Sequence, residues 1–175
     1  VAWYRGLYFD FYADATGQHP AYTATGGFSS GYVTDSQSYA FEFYGNDALS
    51  TDDAPDLQLS QGVTLEAWIN PQSFDDSVSD GPVVIGKGAD YRLFLSNGAA
   101  GSVAGQVVLS VRRAGIVTNF DSGIAVPLNQ WSLVAGSYDA ATGAWRIFIN
   151  GALANSGTIA PGAIDNSSDP LQIGG

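Results

Sequence analysis

This sequence predicts an all-β chain, a sandwich or barrel of short antiparallel strands, and three observations carry that expectation. Apolar residues recur with period two: in Thr64-Leu65-Glu66-Ala67-Trp68-Ile69, Leu65, Ala67 and Ile69 point one way and Thr64, Glu66 and Trp68 the other. Runs of this kind are separated by clusters of glycine, asparagine and aspartate, the residues of tight turns. No segment combines a 3.6-residue period with caps and enough length for a helix. The 22 glycines among 175 residues and the 13% aromatic content suit many strands joined by many turns.

Strands are expected near 3–12, 39–44, 64–69, 82–86, 91–96, 105–112, 116–120, 131–138, 144–149, 152–156 and 171–174. Asn150-Gly151 separates two apolar runs and is the strongest hairpin signal, because a type I′ turn needs positive φ at both positions. Asp139-Ala140-Ala141-Thr142-Gly143 forms a longer hairpin loop, so 131–156 reads as a three-stranded antiparallel meander. Trp131 and Trp145 alternate with Leu133 and Ile147 and are expected in the core. The acidic stretches 51–56 and 75–80 read as solvated connectors. No repeat, linker or low-complexity tract divides the chain. One domain over 1–175 is expected, long enough to bury roughly 70% of its unfolded surface.

Composition narrows the function. Seventeen acidic residues against six basic give a net charge of −11, and Lys87 is the single lysine. Nucleic acid and anionic membrane surfaces are repelled by such a chain. With no cysteine, disulfides, thiolate nucleophiles and cysteine-based zinc sites are excluded. No apolar run approaches the ~20 residues of a membrane helix. The sequence opens at Val1 without a charged-then-apolar leader, and reads as a mature or excised piece.

Several strings then recur in a familiar order. Asp14-Ala15-Thr16-Gly17-Gln18-His19 is followed by Ala40-Phe41-Glu42-Phe43-Tyr44-Gly45-Asn46-Asp47, Leu57 and Leu59, and Gly62 to Ile69. Ile85-Gly86-Lys87-Gly88, Tyr91-Arg92-Leu93, Gln130-Trp131, Ala135 and Tyr138-Asp139 continue it, and Phe148-Ile149-Asn150-Gly151 and Leu171-Gln172-Ile173-Gly174-Gly175 complete it. In this order, over nearly the whole chain, they resemble the laminin-G-like domains of the concanavalin A-like lectin/glucanase superfamily. The resemblance implies a two-sheet antiparallel jelly roll, an extracellular recognition module of a secreted enzyme or adhesin, and a structural calcium near Asp14. It also implies one more strand after the terminal Ile-Gly-Gly. Because the sequence stops at Gly175, that strand is expected to be lacking or donated, leaving a sheet edge open to self-association.

Three constellations of side chains compete with plainer readings. Glycoside hydrolysis needs two carboxyl groups roughly 5–9.5 Å apart, yet Glu42 and Glu66 each stand alone on their strands. The single histidine, His19, sits in a polar turn before Pro20 and reads as a surface turn residue, not a catalytic base. No enzymatic activity is expected. Calcium takes six to eight oxygens. Asp14 with Gly17, Asp10 and Asp47 offers some, at the place the resemblance implies; the plainer reading of Asp14 is an Asx-turn. The third constellation is a carbohydrate face. If Leu65 and Ala67 face inward, Glu66 and Trp68 face outward, and by alternation Arg92 with Phe94, Ser110 with Arg112, and Arg146 with Phe148 can share such a face.

Aromatic rings stack on the apolar faces of sugars while Glu and Arg bond their hydroxyls. Glu66, Trp68, Arg92 and Arg112 are therefore the ligand-binding candidates, with the loops 73–81 and 97–104 as further contacts. The plainer alternative makes Trp68 core and Glu66–Arg92 a buried pair. Carbohydrate recognition is the leading expectation. A subunit of an extracellular filament assembled by strand exchange is the rival, and a glycan-active enzyme comes third.

Overall fold

The computed structural model describes residues 14–25, 29–33, 38–44, 47–74 and 81–175. The expected strand at 3–12, together with Asp10, Asn46 and the loop 75–80, lies outside them. The described strands run β1 Tyr22–Thr25, β2 Ser29–Val33, β3 Ser38–Glu42, β4 Ala48–Thr51, β5 Gly62–Ile69, β6 Val83–Lys87 and β7 Tyr91–Leu95. They continue with β8 Gln106–Arg113, β9 Ile116–Ala125, β10 Ser132–Asp139, β11 Ala144–Ile149, β12 Ala152–Thr158 and β13 Leu171–Ile173. Seven form one sheet in the order β1-β4-β13-β6-β7-β8-β9, four form a second in the order β12-β11-β10-β5, and β2–β3 pair as a separate hairpin. Every recorded pairing is antiparallel. The fold is a concanavalin-like jelly roll, as expected.

Alternation decides which side chains lie between the two sheets. Val63 and Leu65 of β5, Leu93 of β7, Leu109 of β8, Val134 of β10 and Ile147 of β11 are buried in one core cluster. Burying each such side chain contributes roughly 1.5–3 kcal/mol. The sheets approach closely at Gly136, where a Cβ would lie 3.0 Å from Leu93 Cδ1 and 3.2 Å from Leu109 Cβ. Trp145 enters this core, stacked on Phe120 with ring centroids 4.7 Å apart. Trp131 does not: it is 36% exposed, because it lies just outside β10 on the parity of the outward-facing Leu133.

The Asn150-Gly151 turn has φ of 52° and 78°, as a type I′ hairpin requires. A second hairpin of this kind, Ala114-Gly115, was less legible because Ala rarely adopts its φ of 49°. Asp165 holds it: its two carboxylate oxygens accept from the N–H groups of Ala114 and Gly115, each at 2.8 Å. Strand β9 extends past the expected 120 to Ala125. Strands β1, β2 and β4, of four or five residues each, are additional to the expected ones.

The loop after β4 is not a solvated connector throughout. Asp53 pairs with Lys87 at 3.1 Å, and Lys87 is itself fully buried beside Asp90 at 3.4 Å. Lys87 also donates to the Ser167 carbonyl. The ammonium holds the Asp53 carboxyl below its usual pKa. Acidic sequence alone does not reveal such a partner, since Lys87 lies 34 residues away.

Candidate functional site

Strands β7, β8 and β9 present their second face away from the core. Leu93, Leu109 and Phe120 align across these strands and point inward. One residue further, Phe94, Val108 and Asp121 align on the opposite face, and so do Arg92, Ser110 and Asn119. Phe94 and Val108 form a closely packed apolar floor, with the Arg92 guanidinium 5.3 Å from the Phe94 ring centroid.

The loop between β7 and β8 folds over this floor. Ser96 and Ser102 join hydroxyl to hydroxyl at 2.6 Å, the Gly105 N–H donates to the Ser96 carbonyl at 2.7 Å, and the Ala99 N–H donates to Asn97 Oδ1 at 2.9 Å. The positive φ of Gly98 (85°) and Gly101 (87°) lets the chain turn back tightly. The result is an open cavity of about 490 Å³ whose described lining includes Asn97, Ser102, Gln106, Asn119 and Asp121 around Phe94, Val103 and Val108. Amides, hydroxyls and one carboxylate form a rim that both donates and accepts, and no lysine or arginine is in that described lining.

The structure separates the four expected ligand residues. Arg92 stands one rung from the cavity, on the same sheet face. Arg112 lies further along that sheet, paired with Asp90 at 2.6 Å and Asp165 at 3.4 Å. Glu66 and Trp68 lie on the outer face of the four-stranded sheet, on the other side of the molecule. Trp68 is 62% exposed rather than core. Alternation assigns each residue to a face of its strand, but it does not say which sheet the strand joins. Asn119 and Asp121 were missed; the period-two set Val117, Asn119, Asp121 in β9 is the signal that could have shown them.

Around Asp14 the carboxylate closes a turn. Its Oδ1 accepts from the Thr16 N–H at 3.1 Å, and Oδ2 accepts from the Thr16 hydroxyl and from the N–H groups of Gln18 (3.3 Å) and His19 (3.2 Å). The Gly17 N–H donates to the Asp14 carbonyl at 2.8 Å, and Gly17 has φ of 73°. Asp47 accepts from the Tyr44 N–H at 3.2 Å. Among the described residues no three acidic or histidine side chains converge. Asp14 and Asp47 each close a turn here, and the expected ligand Asp10 lies outside the described residues. Asp14→Ala is expected to lower stability by about 1–3 kcal/mol, since it removes the side-chain acceptor of the buried His19 amide and of two partly buried ones. The same loss in calcium and in EDTA, read from urea midpoints, would fit a turn-closing carboxylate; a calcium-dependent loss would show that it holds the ion.

His19 also departs from expectation. It is 4% exposed, with Nε2 2.9 Å from Asp56 Oδ2, and the ring holds the Asp56 carboxyl below its usual pKa. Glu42 lies in the β2–β3 hairpin and Glu66 in the four-stranded sheet, and no recorded ladder joins their strands. No helix among the described residues is long and apolar enough to cross a membrane.

Comparison with known proteins follows the same lines. Domain 4 of AbnA, an extracellular GH43 arabinanase from Geobacillus stearothermophilus solved with arabinotriose, is 18% identical with a TM-score of 0.68. The match covers 99% of this chain and 84% of that one. The binding domain of Paraclostridial Mosquitocidal Protein 1 is 15% identical with a TM-score of 0.71, covering 98% of this chain and 43% of that one. A protein from Bacteroides ovatus described as a putative carbohydrate binding protein is 18% identical with a TM-score of 0.59, covering 79% and 41%. Against the last two, the chain spans about two fifths of the matched length. At these identities the likeness shows the fold. A search of curated proteins finds no match. The sequence model of the concanavalin A-like lectin/glucanases superfamily, in its laminin-G-like form, matches residues 43–175, from before β4 to the end of the sequence. With three quarters of the chain so matched and the two-sheet jelly roll in place, the chain belongs to that superfamily.

Proposed function

We propose that this chain is a non-catalytic recognition module that binds neutral carbohydrate outside the cell, as part of a secreted enzyme or adhesin. The observation that carries this is the cavity under the β7–β8 loop, which combines an apolar floor with a rim of amides, hydroxyls and a carboxylate. Sugars are amphiphilic in the same way, with C–H faces that pack on apolar surface and hydroxyls that need both donors and acceptors. The described rim has Asp121 and no cation, and the chain carries −11, so neutral sugars are favoured over uronic acids. Domain 4 of the arabinanase, solved with arabinotriose, and the binding domains among the structural neighbours support a binding role in a larger protein.

Calorimetry against neutral oligosaccharides, beginning with arabinotriose, tests the reading. Asn119→Ala and Asp121→Ala are each expected to weaken binding about tenfold. Both residues are exposed at a sheet edge, so stability should stay within about 0.5 kcal/mol. Binding of oligogalacturonate in preference to every neutral oligosaccharide would refute the assignment.

A further inference from the structure

The outer face of the four-stranded sheet is organised in three registered rows. Trp68 lies opposite Leu133. Glu66, Ala135, Phe148 and Leu153 align across all four strands. Thr64, Ser137, Arg146 and Ser156 align as the next row, entirely polar. Trp68 is 62% exposed and Leu153 54% exposed, and a groove of about 350 Å³ runs over Glu66, Leu133, Ala135, Ser137 and Phe148.

Protein interfaces place an apolar core inside a polar rim. Here an apolar platform instead runs beside a rail of hydroxyls and a guanidinium, with a carboxylate at one end. Successive rows on one face are about 7 Å apart, which sets the rail within reach of the hydroxyls of a ring lying on the platform. Glu66 accepts, Arg146 donates, and the three hydroxyls do both.

We infer that this face is a second carbohydrate-binding surface, with Trp68 and Phe148 as its stacking platform and Glu66 and Arg146 as its polar contacts. It lies on the far side of the core from the β7–β8 cavity, so one domain holds two glycan segments on opposite faces. Two such sites cannot share one short oligosaccharide, but on a polymer they bridge separate chains or act together by effective concentration. The inference rests on the carbohydrate reading of the cavity only for the ligand class.

The experiment is calorimetric stoichiometry on the whole chain with arabinotriose and then with neutral xylo-, gluco-, galacto- and manno-oligosaccharides. The wild type is expected to bind two equivalents. Trp68→Ala and Asn119→Ala should each leave one equivalent at wild-type affinity and weaken the other about tenfold, and the double variant should weaken both. Trp68→Phe keeps a stacking ring and should restore the second equivalent, while Trp68→Ala weakens that site about tenfold or more. Because Trp68 is mostly exposed, its variants should melt with the wild type, which separates lost binding from lost folding.

A single equivalent that Asn119→Ala weakens and Trp68→Ala leaves untouched overturns the second surface while the proposed function stands. A single equivalent that only Trp68→Ala weakens overturns the two-site inference and also the cavity. Absence of binding to every oligosaccharide overturns both.

Discussion

Replacing Asp90 with alanine is expected to destabilise the protein by about 3–5 kcal/mol, the usual cost of removing one partner from a buried ion pair. Asp90 and Lys87 are both fully buried. The Asp90 carboxylate accepts from Arg112 Nη2 at 2.6 Å, and from the Ser167 N–H at 2.6 Å and hydroxyl at 2.8 Å, besides pairing with Lys87. One side chain thus ties β6, β8 and the segment leading into β13 together. Without it, Ser167 loses the acceptor of its N–H, and among the described residues the Lys87 ammonium keeps Asp53 and the Ser167 carbonyl.

Urea midpoints at pH 7 measure this loss, with a fall in Tm on the order of 10 °C alongside. Asp169→Ala, which removes a more exposed contact to the Ser167 hydroxyl at 2.9 Å, is the control and should cost under about 1 kcal/mol. A loss from Asp90→Ala no larger than the control's would mean that the network is not structural. The Asp53 arm adds a pH dependence. Its folded-state pKa is depressed, so its contribution is fully present above the unfolded value of about 3.9 and disappears as the pH falls through the lowered one.

Leu109→Ala is the second large effect, expected to cost about 2–5 kcal/mol. Leu109 has no solvent exposure, sits between Leu93 of β7 and Phe120 of β9 in register, and faces Gly136 across the core. Gly136 has no side chain that could move into the space. The neighbouring Leu93 and Val134 lie in regular strands, which limits how far they collapse. Denaturant unfolding with an unchanged slope measures the loss. A cost below about 1 kcal/mol would show that the sheets close over the gap. Val108→Ala, on the opposite face of the same strand, removes cavity floor and so should weaken ligand binding more than Leu109→Ala does.

How much of this was readable in advance follows from what a period can and cannot carry. The alternation of β5 fixed which of its residues face inward, and Asn150-Gly151 fixed a turn, because both are properties of neighbours in sequence. The burial of His19 was not legible, since Asp56 is 37 residues away and pairing is a property of the folded chain. The same holds for Lys87 with Asp53 and for Arg112 with Asp90 and Asp165. Alternation puts Glu66 and Trp68 on the outward side of β5 once Leu65 faces inward, against the plainer reading of Trp68 as core, but it grouped them with arginines of the other sheet. Parity is local, whereas sheet membership depends on long-range pairing. The loop 97–104 was expected as a contact site, yet Asn119 and Asp121 across the cavity were not, and Asp121 lies past the expected strand end at 120.

The burial of Lys87 has a chemical consequence. It is the chain's single lysine, and none of it reaches solvent, so the folded domain offers no side-chain amine to an aldehyde or an activated ester. Around reducing sugars the fold therefore shields the side chain that would form an imine with them. Acylation of Lys87 can proceed only when the network around it opens, which makes the rate of labelling at this one site a clock for local unfolding.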